Sequence, residues 1–328
     1  MHYELNKKDV RKMYRIGVDL GGTNIVAGVV DDKYRIISKA STKTNIPRPA
    51  EEIFDDIAKV VKEAANIAGV SLDDVVSVGV GTPGSVNKGK GIIEYANNLY
   101  FDNVPAFKML AERLGMTRIY FDNDANCAAL GEAVAGVGKG VKNFVAITLG
   151  TGVGSGIIAN GKLITGVNYA AGEMGHHVVV FDGEQCNCGR KGCWEAYASA
   201  TALIRNTKKA MEEDKESIMW KLADNNLDLV SGRTAFDAMR QDDKTAAGIV
   251  DQYIRYVACG ILNIINALQP EILCVGGGIG REGEGLLVPI REIVESERYT
   301  VHASVQTKIC SAVLGNDAGI IGAALLDE

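Results

Sequence analysis

Apolar and polar positions along the chain fall into two periods, and the switches between them outline the elements. Residues 15–19 are a short apolar run that ends in a glycine pair. Segments 24–30 and 35–39 follow it, with Asp31-Asp32-Lys33 as the turn between them, so three strands are predicted. Residues 143–166 repeat that plan. A strand is predicted over 144–149, a Gly-rich turn over 150–154 and a strand over 155–159; Asn160-Gly161 gives a hairpin signal before a third strand at 163–165. Between the two repeats the period lengthens. Apolar residues at 53, 54, 57, 60, 61, 64 and 68 mark one face of a helix over 50–68. A buried strand is expected at 75–80 and a short helix at 107–114. A strand at 118–121 runs into Asp122-Asn123-Asp124, and a helix follows at 125–135.

The C-terminal third predicts a long helix over 246–268, with Val250, Ile254, Val257, Ile261, Ile265 and Leu268 on one face and Pro270 beyond its end. A strand at 272–275 ends in Gly276-Gly277-Gly278. A last strand is expected at 305–309 and a last helix at 317–326. Strands alternating with helices give an α/β protein. The internal repeat, with Asp19-Leu20-Gly21-Gly22-Thr23 lying over Thr148-Leu149-Gly150-Thr151-Gly152, gives two related lobes and a ligand cleft between them. A chain of 328 residues is long enough for two cores. The expected division is a smaller lobe of residues 1–121 plus the C-terminal helix 312–328, and a larger lobe of residues 122–311.

Charge narrows the function classes. The formal net charge is −6, so the basic face of a nucleic-acid binder is not expected. The polar start Met1-His2-Tyr3-Glu4 carries no apolar leader, and no apolar run approaches a membrane span, which places the chain in the cytoplasm. Seven cysteines, an odd number in such a chain, point to metal or buried thiols before disulfides.

Three Gly clusters close strands, at 21–22, 150–154 and 276–278. Glycine lets backbone N–H groups approach an anion closely. Neither a G-x-x-x-x-G-K-[ST] loop nor a dinucleotide fingerprint is present, since Gly152-x-Gly154-x-Gly156 has the wrong spacing and precedes a strand. The pattern resembles the actin/hexokinase-like (ribonuclease H-like) duplicated fold. That resemblance implies that Asp19, Gly21, Gly22, Thr23 and Asn24 with Thr148, Gly150, Thr151 and Gly152 hold the phosphates of ATP, and that Gly276, Gly277 and Gly278 border the adenosine. A carboxylate facing phosphates is costly without a cation, so Asp19 is expected to engage Mg²⁺ through water. Cys186, Cys188 and Cys193 stand within eight residues, spaced by Gly189 and Gly192, with His176 ten residues before Cys186. Three Cys and one His make the tetrahedral set of structural Zn²⁺. His177 competes with His176, and spacing does not choose between them. Cys127, Cys259, Cys274 and Cys310 read as buried apolar side chains.

Glu173-Met174-Gly175-His176, then Cys186-x-Cys188-Gly189-x-x-Gly192-Cys193-x-Glu195, resembles the signature of the ROK family; Asp19–Asn24 and Asn123-Asp124-Ala125-Asn126 look like family motifs too. The likeness runs from about residue 14 to the end and is strongest to the family's bacterial glucokinases. It implies a hexokinase that uses Mg-ATP, with Asp124 as general base and Gly84, Asn98, Asn123, Asp124, Glu173, His176 and Glu195 around the sugar. By residue type alone Asp124 reads as a helix N-cap. Other acceptors in the family are N-acetylmannosamine, N-acetylglucosamine and fructose, and some relatives use polyphosphate as donor. The family also implies a dimer or a dimer of dimers. Its repressors carry a helix-turn-helix before the first phosphate turn, and the 18 residues before Asp19 are too few for one.

Overall fold

A computed structural model describes residues 13–328, and the chain divides into two compact units. The first comprises its described residues through Cys127 together with Gly319–Glu328; the second is Ala128–Ala318. The sequence-based division at 121/122 and 311/312 thus moves six and seven residues along the chain, because the first turn of the helix Asp124–Val134 stays with the strand before it, and the loop after the last strand stays with its own sheet.

The first unit contains β1 (Tyr14–Leu20), β2 (Asn24–Val30), β3 (Ile36–Lys43), β4 (Val75–Thr82), β5 (Ser85–Asn87), β6 (Ile92–Ala96), β7 (Phe101–Val104) and β8 (Ile119–Asn123). Five of them form a sheet in the order β3-β2-β1-β4-β8; β5, β6 and β7 make a separate three-stranded sheet. The pairings β1·β2 and β2·β3 are antiparallel, and β1·β4 and β4·β8 are parallel. The helix Ala50–Ala68 buries Ile53, Phe54, Ile57, Val60, Val61 and Ala64, six positions at helical spacing, and ends at Gly69 in the left-handed region. Phe54 packs against Phe101 and Phe121 in a core shared with Leu20, Ile25 and Val80.

The second unit contains β9 (Phe144–Leu149), β10 (Val153–Ala159), β11 (Lys162–Leu163), β12 (Ile272–Gly276) and β13 (Lys308–Ser311) in the order β11-β10-β9-β12-β13. Its ladders repeat those of the first unit, with β9·β10 and β10·β11 antiparallel and β9·β12 and β12·β13 parallel. The helix Lys244–Leu268 buries Val250, Ile254, Val257, Ile261 and Ile265 in a core with Trp194, Phe236 and Leu286. Leu268, expected on that buried face, is 44% exposed, where the helix gives way to the left-handed Gln269.

The last strand departs from its prediction. It spans Lys308–Ser311, not 305–309, because a parallel partner sets its register (Cys274 opposite Cys310), and Val305 is exposed. The helices Ala200–Glu213 and Glu284–Glu297 add two elements to those predicted. Among the described residues no helix is long and apolar enough to cross a membrane.

Candidate active site and metal centre

In the first unit the chemistry gathers at the carboxyl ends of β1, β4 and β8. Register sets Asp19 opposite Gly81, Gly81 opposite Asp122, and Thr82 opposite Asn123. The helix Asp124–Val134 starts at Asp124, and the residue that caps it is Asn123: its Oδ1 accepts from the N–H groups of Ala125 (2.8 Å) and Asn126 (3.3 Å). The capping role that residue type suggested for Asp124 therefore belongs to its neighbour. Asn123 also donates from Nδ2 to the carbonyl of Gly84 (3.1 Å), leaving one N–H of that amide uncommitted. Gly84 has φ +86°, and a Cβ there would lie 2.0 Å from the Tyr95 carbonyl oxygen, so only glycine fits.

Asp124 accepts from the Ala125 N–H at 2.8 Å. Its side chain reaches solvent, yet desolvation by the protein packed around it pushes its carboxyl above the ordinary range despite the backbone hydrogen bonds that pull it down. Burial, and then the charge of Asp124, pushes Asp19 up to about 6. Two carboxyls of raised proton affinity at one end of the sheet, on β1 and just after β8 with β4 between them, are the pattern of a proton acceptor and a cation-seeking acid. In the turn that follows Asp19, Gly21 N–H donates to the Asn24 carbonyl (2.9 Å) and Thr44 Oγ1 to the Gly21 carbonyl (2.6 Å); Thr23 and Asn24 are exposed at its tip. Asn98 backs onto Gly22, whereas Asn97 accepts from the Tyr95 hydroxyl at 3.2 Å, so it is Asn98 that adjoins the first Gly turn.

Sequence reasoning assigned no role to Asp122 and Lys88. Asp122 is fully buried; its carboxylate accepts from Asn123 N–H (2.7 Å) and Asn126 Nδ2 (2.9 Å) and pairs with Lys88. The pair fixes the backbone just ahead of Asp124. Thirty-four residues separate its members, so no local pattern announces it.

In the second unit, Thr148 pairs with Gly276 across β9 and β12, so register sets the third Gly cluster beside the second Gly turn. Gly277 has φ +82°, and a Cβ there would meet the Leu149 backbone at 2.5 Å. The turn after Leu149 is held by Gly150 N–H to the Gly152 carbonyl (3.0 Å), Ala200 N–H to the Gly150 carbonyl (2.8 Å) and Thr201 Oγ1 to the Thr151 carbonyl (2.7 Å). Gly278 is open, with nothing within 4 Å of where its Cβ would stand. Glu195 accepts from Val153 N–H through Oε2 (2.9 Å), and its Oε1 lies 3.9 Å from Cys186 Sγ, so one carboxylate joins this turn to the cysteine cluster. Glu173 is exposed and precedes the short 3₁₀ turn Met174–His176.

The ligand atoms of His176, Cys186, Cys188 and Cys193 all lie within 4.8 Å of one another. Cys186 Sγ is 3.7 Å from His176 Nδ1, and Cys188 Sγ is 3.6 Å from Cys193 Sγ. A tetrahedron with Zn–S bonds of about 2.3 Å has edges of about 3.8 Å, so the donor set fits zinc in number, type and spacing. Burial and the neighbouring thiols push the Cys193 thiol up to about 12, a proton that a metal would displace. His177 is not part of this cluster. Its ring stacks on Trp194 (centroids 5.4 Å apart), and its Nε2 lies 3.5 Å from Asn263 Nδ2. The choice that spacing left open falls to His176, because the two histidines of the turn face different neighbours.

Comparison with known proteins places these geometries. The chain is 38% identical over 315 residues to a glucokinase of Thermotoga maritima, covering 95% of this chain and 96% of that one. Its fold matches a ROK family glucokinase from Streptomyces griseus, solved in complex with glucose and AMPPNP, at TM-score 0.82 and 37% identity, over 95% of this chain and 98% of that one. It matches a ROK hexokinase from Thermus thermophilus at TM-score 0.82 and 31% identity, over 96% and 97% of the two chains. Those neighbours share the actin/hexokinase-like fold expected from the three Gly turns. The ROK family model matches residues 15–328, from β1 to the last residue, and the chain therefore belongs to the ROK family.

Proposed function

We propose that this chain transfers the γ-phosphoryl group of ATP to a hexose, with glucose as the preferred acceptor. The observation that carries the reading is Asp124: a solvent-accessible carboxyl of raised proton affinity, relieved of helix capping by Asn123 and free to act as a base. The identity to glucokinases over nearly the whole chain supports the choice of substrate.

In the reaction the sugar hydroxyl oxygen attacks the γ-phosphorus, the new P–O bond forms as the bond to the β-phosphate oxygen breaks, and ADP leaves. Asp124 accepts the hydroxyl proton as that bond forms. Asp19 would hold Mg²⁺, which when bound would supply positive charge to stabilise the phosphates. The N–H groups at Gly21, Gly22, Thr23 and Asn24 and at Gly150, Thr151 and Gly152 position the phosphates, with Thr148 at the base of the second turn. Gly276, Gly277 and Gly278 border the adenosine, where glycine leaves room for a flat base.

Asn98, Asn123, Gly84, Glu173, His176 and Glu195 hold the sugar. His176 turns Nδ1 toward the cysteines, so its other ring nitrogen is left to donate to a hydroxyl. His176, Cys186, Cys188 and Cys193 would hold one Zn²⁺, which when bound supplies a rigid staple for the sugar-side loop and no step of the reaction. Assembly into dimers, or dimers of dimers, in the cytoplasm belongs to the same proposal and is read by light scattering and cell fractionation.

A coupled ADP assay over glucose, mannose, fructose, N-acetylglucosamine and N-acetylmannosamine, with ATP and with polyphosphate as donor, tests the reading. Glucose with ATP should give the highest kcat/KM. A strong preference for another sugar would overturn the acceptor, and turnover with polyphosphate alone would overturn the donor.

A further inference from the structure

Trp194 sits between the cluster residue Cys193 and the carboxylate Glu195, and it is among the largest fully buried side chains of the chain. Four contacts fix it. Its indole N–H donates to the Tyr256 carbonyl at 2.7 Å, in the middle of the helix Lys244–Leu268. Its ring lies on Gly260 of that helix, where a Cβ would come within 2.0 Å of the indole. Its backbone N–H donates to the His177 carbonyl at 2.9 Å, and its ring stacks on the His177 imidazole with 24° between the planes. The bridge between Val178 and Cys193 closes the same junction. Trp194 therefore touches the residue after His176 and is itself the residue after Cys193. Both ends of the four-residue cluster, and Glu195 beyond it, hang on one wedge. The middle of the loop has no such seat, since Cys188, Gly189, Arg190 and Lys191 are exposed.

We infer that Trp194, seated on Gly260, is the positioning residue that holds His176, Cys193 and Glu195 in register for metal and sugar. Gly260 serves this role by size. Helix propensity would favour alanine there, but any side chain would push the indole out of its seat. The inference deepens the proposed function and rests on its metal reading.

The test is a double-mutant cycle on purified full-length protein, comparing the parent with Gly260→Ala, Trp194→Leu and the double variant. Each is measured for zinc content, for the rate of zinc release to a chromogenic chelator, for KM of glucose and of ATP, and for thermal unfolding. Loss of support for metal ligands typically weakens binding about 10–100-fold. Gly260→Ala should release zinc faster by that order and raise the KM of glucose more than that of ATP. In the Trp194→Leu background the same Gly260→Ala change should add little, because the shorter side chain leaves room for the methyl. A folded Gly260→Ala variant that keeps the parent's release rate overturns the inference, and so does an equal effect in both backgrounds. A parent that binds no zinc overturns the metal reading and this inference with it. Should Gly260→Ala fail to fold, Trp194→Phe keeps an aromatic ring but removes the indole N–H and the second ring, and it should still release zinc faster than the parent; parent-like release then overturns the inference.

Discussion

In the first unit the central strand carries Asp19 one residue before its end, paired with Gly81; in the second the equivalent strand carries Thr148 one residue before its end, paired with Gly276. The ladders match strand for strand, and in both units the last parallel strand leads into Asn-Asp-Ala at a helix start, Asn123-Asp124-Ala125 and Asn316-Asp317-Ala318. The chemistry around the two motifs differs. Asn123 caps its helix and binds Gly84, while Asn316 accepts from Arg281 at 3.3 Å. Only the first copy sets a second carboxylate, Asp19, on the central strand of the same sheet. The second copy inserts the cysteine loop between β11 and its helices. A duplicated scaffold thus supplies two sets of strand ends, and side-chain substitution gives the first a pair of carboxyls of raised proton affinity and the second a cluster of three cysteines and a histidine.

The sharpest way to break that division is Asp124→Asn. The amide cannot take the hydroxyl proton, so kcat should fall at least ~10²-fold while zinc content stays at the parent value. Turnover within a few-fold of the parent would remove the base from the first unit. Stripping the metal is the complementary experiment. Acid and chelator should release one zinc per chain, because protons compete for the thiolates, and sugar KM should rise by about tenfold or more while the Asp124-dependent step persists at saturating sugar. Unchanged sugar KM in a metal-free enzyme would take the second unit out of sugar binding.

Two glycines test whether the repeat's turns are equally strict. Gly84→Ala and Gly277→Ala each place a methyl against backbone at positive φ, and each should cost about 1–3 kcal/mol or more of stability in denaturant titrations. Gly161→Ala, at φ +76° with nothing within 4 Å of its Cβ position, should cost only about 1 kcal/mol. Equal costs at all three would mean that conformation, not close approach, governs these turns.

What the chain discloses in sequence follows from how local each feature is. The strands 24–30 and 144–149 and the helix 50–68 are as read, because a continuous apolar run marks each strand and a single apolar face marks the helix. The three metal thiols were legible because Gly spacing and cysteine type are local too. The sheet of β5, β6 and β7 was not, since its strands are three to five residues long and its register comes from pairing. The helix Glu284–Glu297 was hidden in part by Pro289 inside it. Residue type pointed to Asp124 as the cap, and only the contacts of Asn123 Oδ1 with the Ala125 and Asn126 N–H groups move that role to its neighbour. Asp122 with Lys88 and Trp194 with Gly260 join residues far apart in the chain, beyond any periodicity.

The smallest predicted effect bears on Asp19, the residue in which the two strand ends differ most. Its folded-state pKa is raised to about 6 by burial and by Asp124, against 3.8 for an ordinary aspartate. A raised carboxyl pKa means the folded chain binds the proton more tightly than the unfolded chain. The advantage to folding is full in acid, below the unfolded value, and is lost as pH rises through about 6; above that the buried charge is a standing cost. Asn at this position carries no charge at any pH. Ligand-free Asp19→Asn and parent should therefore melt together near pH 4, and the variant should gain on the parent as pH rises to 7, by about 1–2 kcal/mol for a half-buried group. The difference between the two curves isolates position 19, since every other titrating group is common to both. Mg-nucleotide should reverse the order at pH 7, because the parent's charge then meets a cation and the variant's amide does not. Parallel melting curves from pH 5 to 8 would mean that Asp19 is as well solvated as Thr148, and that the two strand ends differ in residue type without differing in electrostatics.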